Sequence, residues 1–241
     1  MPDAMLRVDS VSKVFGGLHA VDAVSFTVAP QEIVGLIGPN GAGKTTLFNL
    51  ISGYYRPTRG RVFFREKDIT GLAPYTLARL GIGRTFQIVK PFGGLTVLDN
   101  VVVAALLKHP RRQDAERHAW EVLEFTGLAD RARDPAASLT LAGRKRLEIS
   151  KALALEPSLL LLDEVVAGLN PTEADRTVQL ILGVRARGLT IVIVEHIMRV
   201  IMNISDRVVV LNYGQKIAEG DPKEVAKNRA VIEAYLGESV A

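Results

Sequence analysis

Cysteine is absent from the 241 residues, which excludes a disulfide framework and any thiolate metal site. No apolar run approaches the ~18–20 residues needed to cross a bilayer: Val101–Leu107 is stopped by Lys108, and the leucines at 159–162 by Asp163. The N-terminus, with Asp3 inside Met1–Leu6, has no basic segment followed by an apolar one. No secretory signal is read there, and a cytosolic location is expected. Tandem repeats, low-complexity tracts and sustained heptads are also missing. An excess of one charge is nearly so, since 30 basic residues against 26 acidic leave a formal +4. That balance describes a solvated surface, and no nucleic-acid partner is expected. What is present, 48% hydrophobic residues, suffices to bury a full core as one α/β domain or as a domain with a closely attached lobe.

The pattern changes along the chain. Leu6, Val8 and Val11, then Val21, Val24, Phe26 and Val28, alternate with polar positions and predict antiparallel strands, with Arg61–Phe64 as another. Lys44 to Ile51 has a helical pattern ending near Gly53, and Pro57 to Gly60 marks a turn. From about 70 to 155 the period is helical, with Ala115, Ala119, Val122 and Leu123 on one face and Arg111, Arg112, Glu116 and Arg117 largely off it. Wholly apolar runs then appear at Leu159–Leu162, Ile191–Val194 and Val208–Leu211, separated by helix-length segments. This is the pattern of a parallel sheet covered on both faces.

The chemistry concentrates in Gly38-Pro39-Asn40-Gly41-Ala42-Gly43-Lys44-Thr45-Thr46, which follows the apolar run Ile33–Ile37 and fits G-x-x-x-x-G-K-[ST]. Glycines let consecutive N–H groups turn toward phosphate oxygens, Lys44 supplies a cation, and Thr45 offers a hydroxyl to magnesium. A helix beginning near Lys44 adds its positive dipole end. The strand Leu159–Leu162 leads into Asp163-Glu164, at the edge where open α/β sheets place ligands. In such a pair, Asp163 suits magnesium through water and Glu164 suits the orientation or deprotonation of an attacking water. Alone, an Asp-Glu pair is more often a helix cap; beside the phosphate loop it reads as catalytic. Ile191–Val194 ends in Glu195-His196, so His196 can reach the same edge, whereas His19, His109 and His118 read as surface residues.

These motifs, in this order, resemble the ATP-binding-cassette (ABC) ATPases over nearly the whole chain. The resemblance implies an α/β P-loop NTPase fold with a mainly parallel core sheet, an N-terminal antiparallel β subdomain and a helical subdomain. It implies one ABC ATPase domain over 1–241, with about 1–85 and 156–241 forming the core and β subdomain and about 86–155 the helical subdomain. Gly83-Arg84-Thr85-Phe86-Gln87 looks like the segment whose glutamine touches magnesium and the attacking water while linking to a membrane subunit. His196 matches the switch histidine. Phe15 in Val14-Phe15-Gly16-Gly17 looks like the ring that stacks on adenine, although without the motifs it reads as core. The absence of a guanine-reading N-K-x-D favours ATP, with Mg2+.

Phe15-Gly16-Gly17 with Ala20-Val21, Arg84-Thr85-Phe86-Gln87, and Glu164-Val165 through Ala167-Gly168-Leu169-Asn170-Pro171 further resemble the ATPase subunits of branched-chain amino acid importers. That implies two cassettes sandwiching two ATP molecules beneath integral membrane permease subunits. It also implies an extracytoplasmic solute-binding protein and a peripheral place at the cytoplasmic face of the inner membrane. The alternative is an ABC ATPase acting on a ribosome or nucleic acid, against which a single phosphate loop and the lack of heptads argue. A regulatory module without turnover is disfavoured by Glu164 and His196.

Three departures stand out. The family's L-S-G-G-Q signature is here Leu139-Thr140-Leu141-Ala142-Gly143; Thr140 retains the hydroxyl expected to meet the partner's ATP. Asn170 replaces a usual aspartate, and Val165 a frequent proline. The first two fall in segments used across the dimer, so a different chain is expected as the second ATPase. Arg144–Arg146 read as a solvated helix face.

Overall fold

The computed structural model describes residues 4–87 and 89–236. The N-terminal alternation folds as two antiparallel strands, β1 (Leu6–Phe15) and β2 (Leu18–Val28), paired from Leu6 opposite Val28 to Phe15 opposite Leu18. The β1–β2 pairing shifts register between Val8 and Val14. A wholly buried strand, β3 (Ile33–Ile37), and helix α1 (Lys44–Ile51) intervene before β4 (Arg59–Phe64) pairs with the other edge of β1. The short β5 (Lys67–Asp68) completes a four-stranded antiparallel sheet in the order β2-β1-β4-β5. Its apolar residues Leu6, Val8, Val24, Phe26, Val62 and Phe64 are buried, because side chains two apart on a strand share a face.

Helix α2 (Pro74–Leu80) leads into β6 (Ile82–Arg84), which lies parallel to a later strand, Ile82 opposite Leu159. The helical period expected from about 70 to 155 is therefore interrupted. Three residues with a central glycine are too few to display a strand period, and Gly83 fits because a side chain there would press on the Ala152 carbonyl and Pro157. Helices α3 (Val97–Ala105), α4 (Arg112–Thr126) and α5 (Leu141–Leu153) follow. They share a separate apolar cluster that includes Val97, Val101, Ala115, Ala119, Val122, Leu123 and Leu147. The face expected at 115–123 is the face buried.

Strand β7 (Leu159–Asp163), helix α6 (Pro171–Ala186), strand β8 (Thr190–Val194), helix α7 (Met198–Ile204) and strand β9 (Arg207–Asn212) complete the parallel part of the main sheet. An edge strand not foreseen, β10 (Gln215–Gly220), runs antiparallel to β9, and α8 (Pro222–Val225) and α9 (Arg229–Leu236) follow. The order is β10-β9-β3-β8-β7-β6. Strands β3, β7 and β8 are buried at every residue, as two covered faces require. Val34, Leu36, Leu159, Leu161, Val192 and Val194 pack toward α1 and the antiparallel sheet. Ile33, Ile37, Leu160, Leu162, Ile191 and Ile193 pack toward α5, α6 and α7. Since β3, β8 and β7 are adjacent and parallel, the segments after residues 37, 163 and 194 emerge along one edge.

Candidate functional site

The loop between β3 and α1 is shaped by glycines that nothing else could replace. Gly38 and Gly43 have φ of 148° and 99°, and a Cβ would stand 2.1 Å from the Leu211 carbonyl oxygen and 2.4 Å from that of Ala20. Lys44 is 9% exposed, and its Nζ donates to the carbonyls of Gly38 and Pro39, both at 2.6 Å. The ammonium thus closes the loop as a ring and holds positive charge within it. No acidic residue lies in the first turn of α1, so the dipole end stays uncompensated toward an anion.

A cleft of about 570 Å3 opens over this loop, lined by Phe15, Asn40 through Thr46, Gln87 and Glu164, together with Leu18, His19, Ala20 and Tyr213. Phe15 is 41% exposed, so it is not a core residue; it meets Tyr55 edge-on with centroids 5.3 Å apart. A larger hollow, about 1050 Å3, shares none of these residues. Its charged groups satisfy one another, with Arg207 held by Glu32 and Glu219 and Arg7 by Asp9 and Glu66.

Asp163 ends β7 almost fully buried, paired through Oδ2 with Arg84 Nη2 at 3.2 Å. Burial pushes the Asp163 carboxyl above the usual carboxylate range, and Arg84 opposes that rise. Arg84 also donates to Asn49 Oδ1 at 2.7 Å and to Ser52 Oγ, tying β6 and β7 to the end of α1. No contiguous motif assigns Arg84 this role; the parallel pairing of β6 with β7 creates it.

Glu164 has φ of 48°, a left-handed conformation costly for a side-chain-bearing residue. Its N–H donates to the Val194 carbonyl at 2.9 Å. Gln87 Nε2 donates to Glu164 Oε2 at 2.8 Å, and His196 Nδ1 lies 3.9 Å from Oε1. Three segments remote in sequence thereby converge on one carboxylate. The helix-cap reading fails, because the helix that follows, α6, is capped by Asn170 with a reciprocal Glu173 contact.

Two buried charged groups behind Glu164 change the reading of Arg144–Arg146. Lys145 is 7% exposed, and its Nζ donates to the Glu164 carbonyl at 2.5 Å; burial lowers its pKa. Arg144 and Arg146 reach the carbonyls of Ala137 and Gly127. The segment is not a solvated face, because α5 lies against the loop after β7. Glu195 is fully buried, accepts from Val166 N–H at 2.8 Å, and is pushed up to about 7 by burial.

Thr140 caps α5, accepting from Gly143 N–H at 3.2 Å, and does not line this chain's own cleft. Leu141 stands 49% exposed. His19 is exposed as expected but borders the cleft, and His109 and His118 are half-buried with their rings against each other rather than free at the surface. Leu18 and Tyr213 carry no motif that points to them.

A phosphate-cradling loop before a helix, with an Asp-Glu pair at the end of a neighbouring parallel strand, defines a P-loop ATPase. The family described as "ABC transporter" matches residues 21–167, and "Branched-chain amino acid ATP-binding cassette transporter" matches 215–241. The chain belongs to the ABC transporter family, as one of its ATP-binding and ATP-hydrolysing subunits. It is 41% identical to the high-affinity branched-chain amino acid transport ATP-binding protein LivG of Escherichia coli K12, over 99% of this chain and 100% of that one. It is 39% identical to BraF of Pseudomonas aeruginosa, a protein of the same description, with the same coverage. Among solved structures it resembles the ADP conformation of an ATP-binding cassette of an ABC transporter, with TM-score 0.89, 33% identity, and coverage of 97% and 99%. Nucleotide-free crystals of a cassette give TM-score 0.89 and 33% identity, covering 96% of this chain and 98% of that one.

Proposed function

We propose that this chain energises a branched-chain amino acid importer, with Glu164 orienting or deprotonating the attacking water. The observation that carries the catalytic assignment is the convergence of Gln87 at 2.8 Å and His196 at 3.9 Å on the two oxygens of Glu164, above Lys44 and Thr45. Magnesium suits the donors at hand, since the Thr45 hydroxyl, the Gln87 amide and the Asp163 carboxylate offer the hard oxygens this ion prefers. Bound there, it would neutralise phosphate charge. Lys44 and the N–H groups of the loop from Gly38 to Thr46 hold the phosphates, and Phe15 stacks on adenine. Thr140 serves the ATP of the opposing subunit.

The solute assignment rests on end-to-end identity to LivG and BraF and on the match at 215–241. The partners are integral membrane permease subunits, a second ATPase of a different chain, and an extracytoplasmic solute-binding protein. Among the described residues no helix is long and apolar enough to cross a membrane, which suits a peripheral place at the cytoplasmic face. An apolar groove of about 350 Å3 bordered by Tyr54, Tyr75 and Phe86, with Phe92 and Leu95 exposed nearby in sequence, suits a short permease helix. Ile88, which directly follows Gln87, lies outside the described residues. The test is Glu164→Gln assayed for ATP turnover and for branched-chain amino acid uptake with its permease. ATP binding should persist while turnover falls ~100-fold or more; undiminished turnover removes Glu164 from its role, and uptake that never depends on this chain removes the solute assignment.

A further inference from the structure

Remote from the cleft, three metal-ligating side chains meet where the helical cluster adjoins the main sheet. His109 follows α3, His118 lies on α4, and Glu156 sits in the turn from α5 into β7. Their ligand atoms all lie within 4.8 Å of one another. His109 Nε2 is 2.7 Å from Glu156 Oε1, and His118 Nε2 is 3.7 Å from the same oxygen. The rings lie with centroids 4.8 Å apart, tilted by 40°.

The polar atoms around His118 are arranged for a cation. Its Nδ1 lies 3.7 Å from Glu121 Oε2, and its other ring nitrogen, Nε2, faces Glu156. That Nε2 is buried with no hydrogen-bond partner among the described residues. It stands beyond hydrogen-bond reach of Glu156 Oε1, an oxygen that is hydrogen-bonded to His109 Nε2. A tetrahedral ion with bonds of ~2.1 Å needs ligand atoms ~3.4 Å apart, a value that the 2.7 and 3.7 Å distances to Glu156 Oε1 bracket. A carboxylate on the far nitrogen is also the usual support of a metal-bound imidazole. Glu156 has φ of 50° in the turn that closes α5, its N–H donating to the Leu153 carbonyl.

We propose that His109, His118 and Glu156 form a binding site for a divalent transition ion of the zinc class, with a fourth position open to water. Two imidazoles and one carboxylate select Zn2+, Co2+ or Ni2+ over Mg2+. An ion held there ties the α3–α4 connection to the turn entering β7, the strand that ends in Asp163. Occupancy stiffens the joint between the helical cluster and the catalytic edge.

The experiment titrates the full chain, free of nucleotide, with ZnCl2 and CoCl2 by calorimetry, following the visible absorption of Co2+. The expected result is one equivalent bound in the presence of excess Mg2+, with the intense band of four-coordinate cobalt and a raised Tm. Glu156→Gln and His118→Ala should each weaken that affinity at least about tenfold, as losing a ligand must when losing an outer partner already costs that much. His109→Gln, at the more exposed of the two imidazoles, should do the same while keeping the metal-free Tm, so a folding defect in either other variant leaves the question decidable. Absence of stoichiometric zinc or cobalt binding, binding that survives all three substitutions, or displacement by Mg2+ would each overturn the proposal.

Discussion

Glu195→Gln offers a quantitative probe of the catalytic edge. Glu195 is fully buried one residue before His196, and burial raises its carboxyl from 4.5 to about 7 against the opposing pull of Val166 N–H and Lys145. Its Oε2 has no hydrogen-bond partner among the described residues, as suits a carboxyl that holds a proton. Between roughly pH 4.5 and 7 the folded chain keeps a proton here that the unfolded chain has released. Folded protein then binds more protons than unfolded, so this contribution is complete below 4.5 and is lost as pH rises through about 7. Each pH unit across that interval is worth about 1.4 kcal/mol, which makes the window worth about 3 kcal/mol. The glutamine amide is neutral throughout and its oxygen can still accept from Val166. In denaturant unfolding at pH 5, 6, 7 and 8, the variant should gain on the parent by about 2.5 kcal/mol from the acid to the alkaline end, since pH 5 already lies inside the window. Parallel pH profiles for the two proteins would refute the reasoning.

Lys145→Met removes the ammonium that grips the Glu164 carbonyl; at about 1.5–3 kcal/mol for a charged hydrogen bond, turnover should fall roughly 10- to 150-fold while ATP binding persists, and unchanged kcat would dissociate Lys145 from catalysis. Phe92→Asp alters a side chain 53% exposed, so the isolated chain should unfold within about 0.5 kcal/mol of the parent and still bind ATP while uptake is lost; a collapse in stability would make Phe92 a packing residue. Leu141→Gly with Ala142→Gly should raise the turnover of the chain alone toward that of the mixture with its partner cassette. Equal, brisk turnover in all three preparations would sink the different-chain reading.

Much of this molecule is written in contiguous residues. The phosphate loop, α1 over Lys44–Ile51, the buried strands at 159, 191 and 208, and the apolar face of α4 follow from residue type and spacing alone, because local dihedral freedom and side-chain period act within a few residues. The sites of Asp163, Glu164 and His196 followed from the strands that carry them. What tertiary structure alone decided is pairing across distance. Strand β6 escaped notice because three residues show no period, and with it went Arg84, whose partner Asp163 is brought near only by β6 lying beside β7. Lys145 reads as a surface cation in sequence, yet its buried grip on Glu164 exists because α5 packs on the loop after β7. His109, His118 and Glu156 carry no common motif; they meet because α3, α4 and α5 share one apolar cluster, and burial of side chains far apart in the chain is a property of the folded packing.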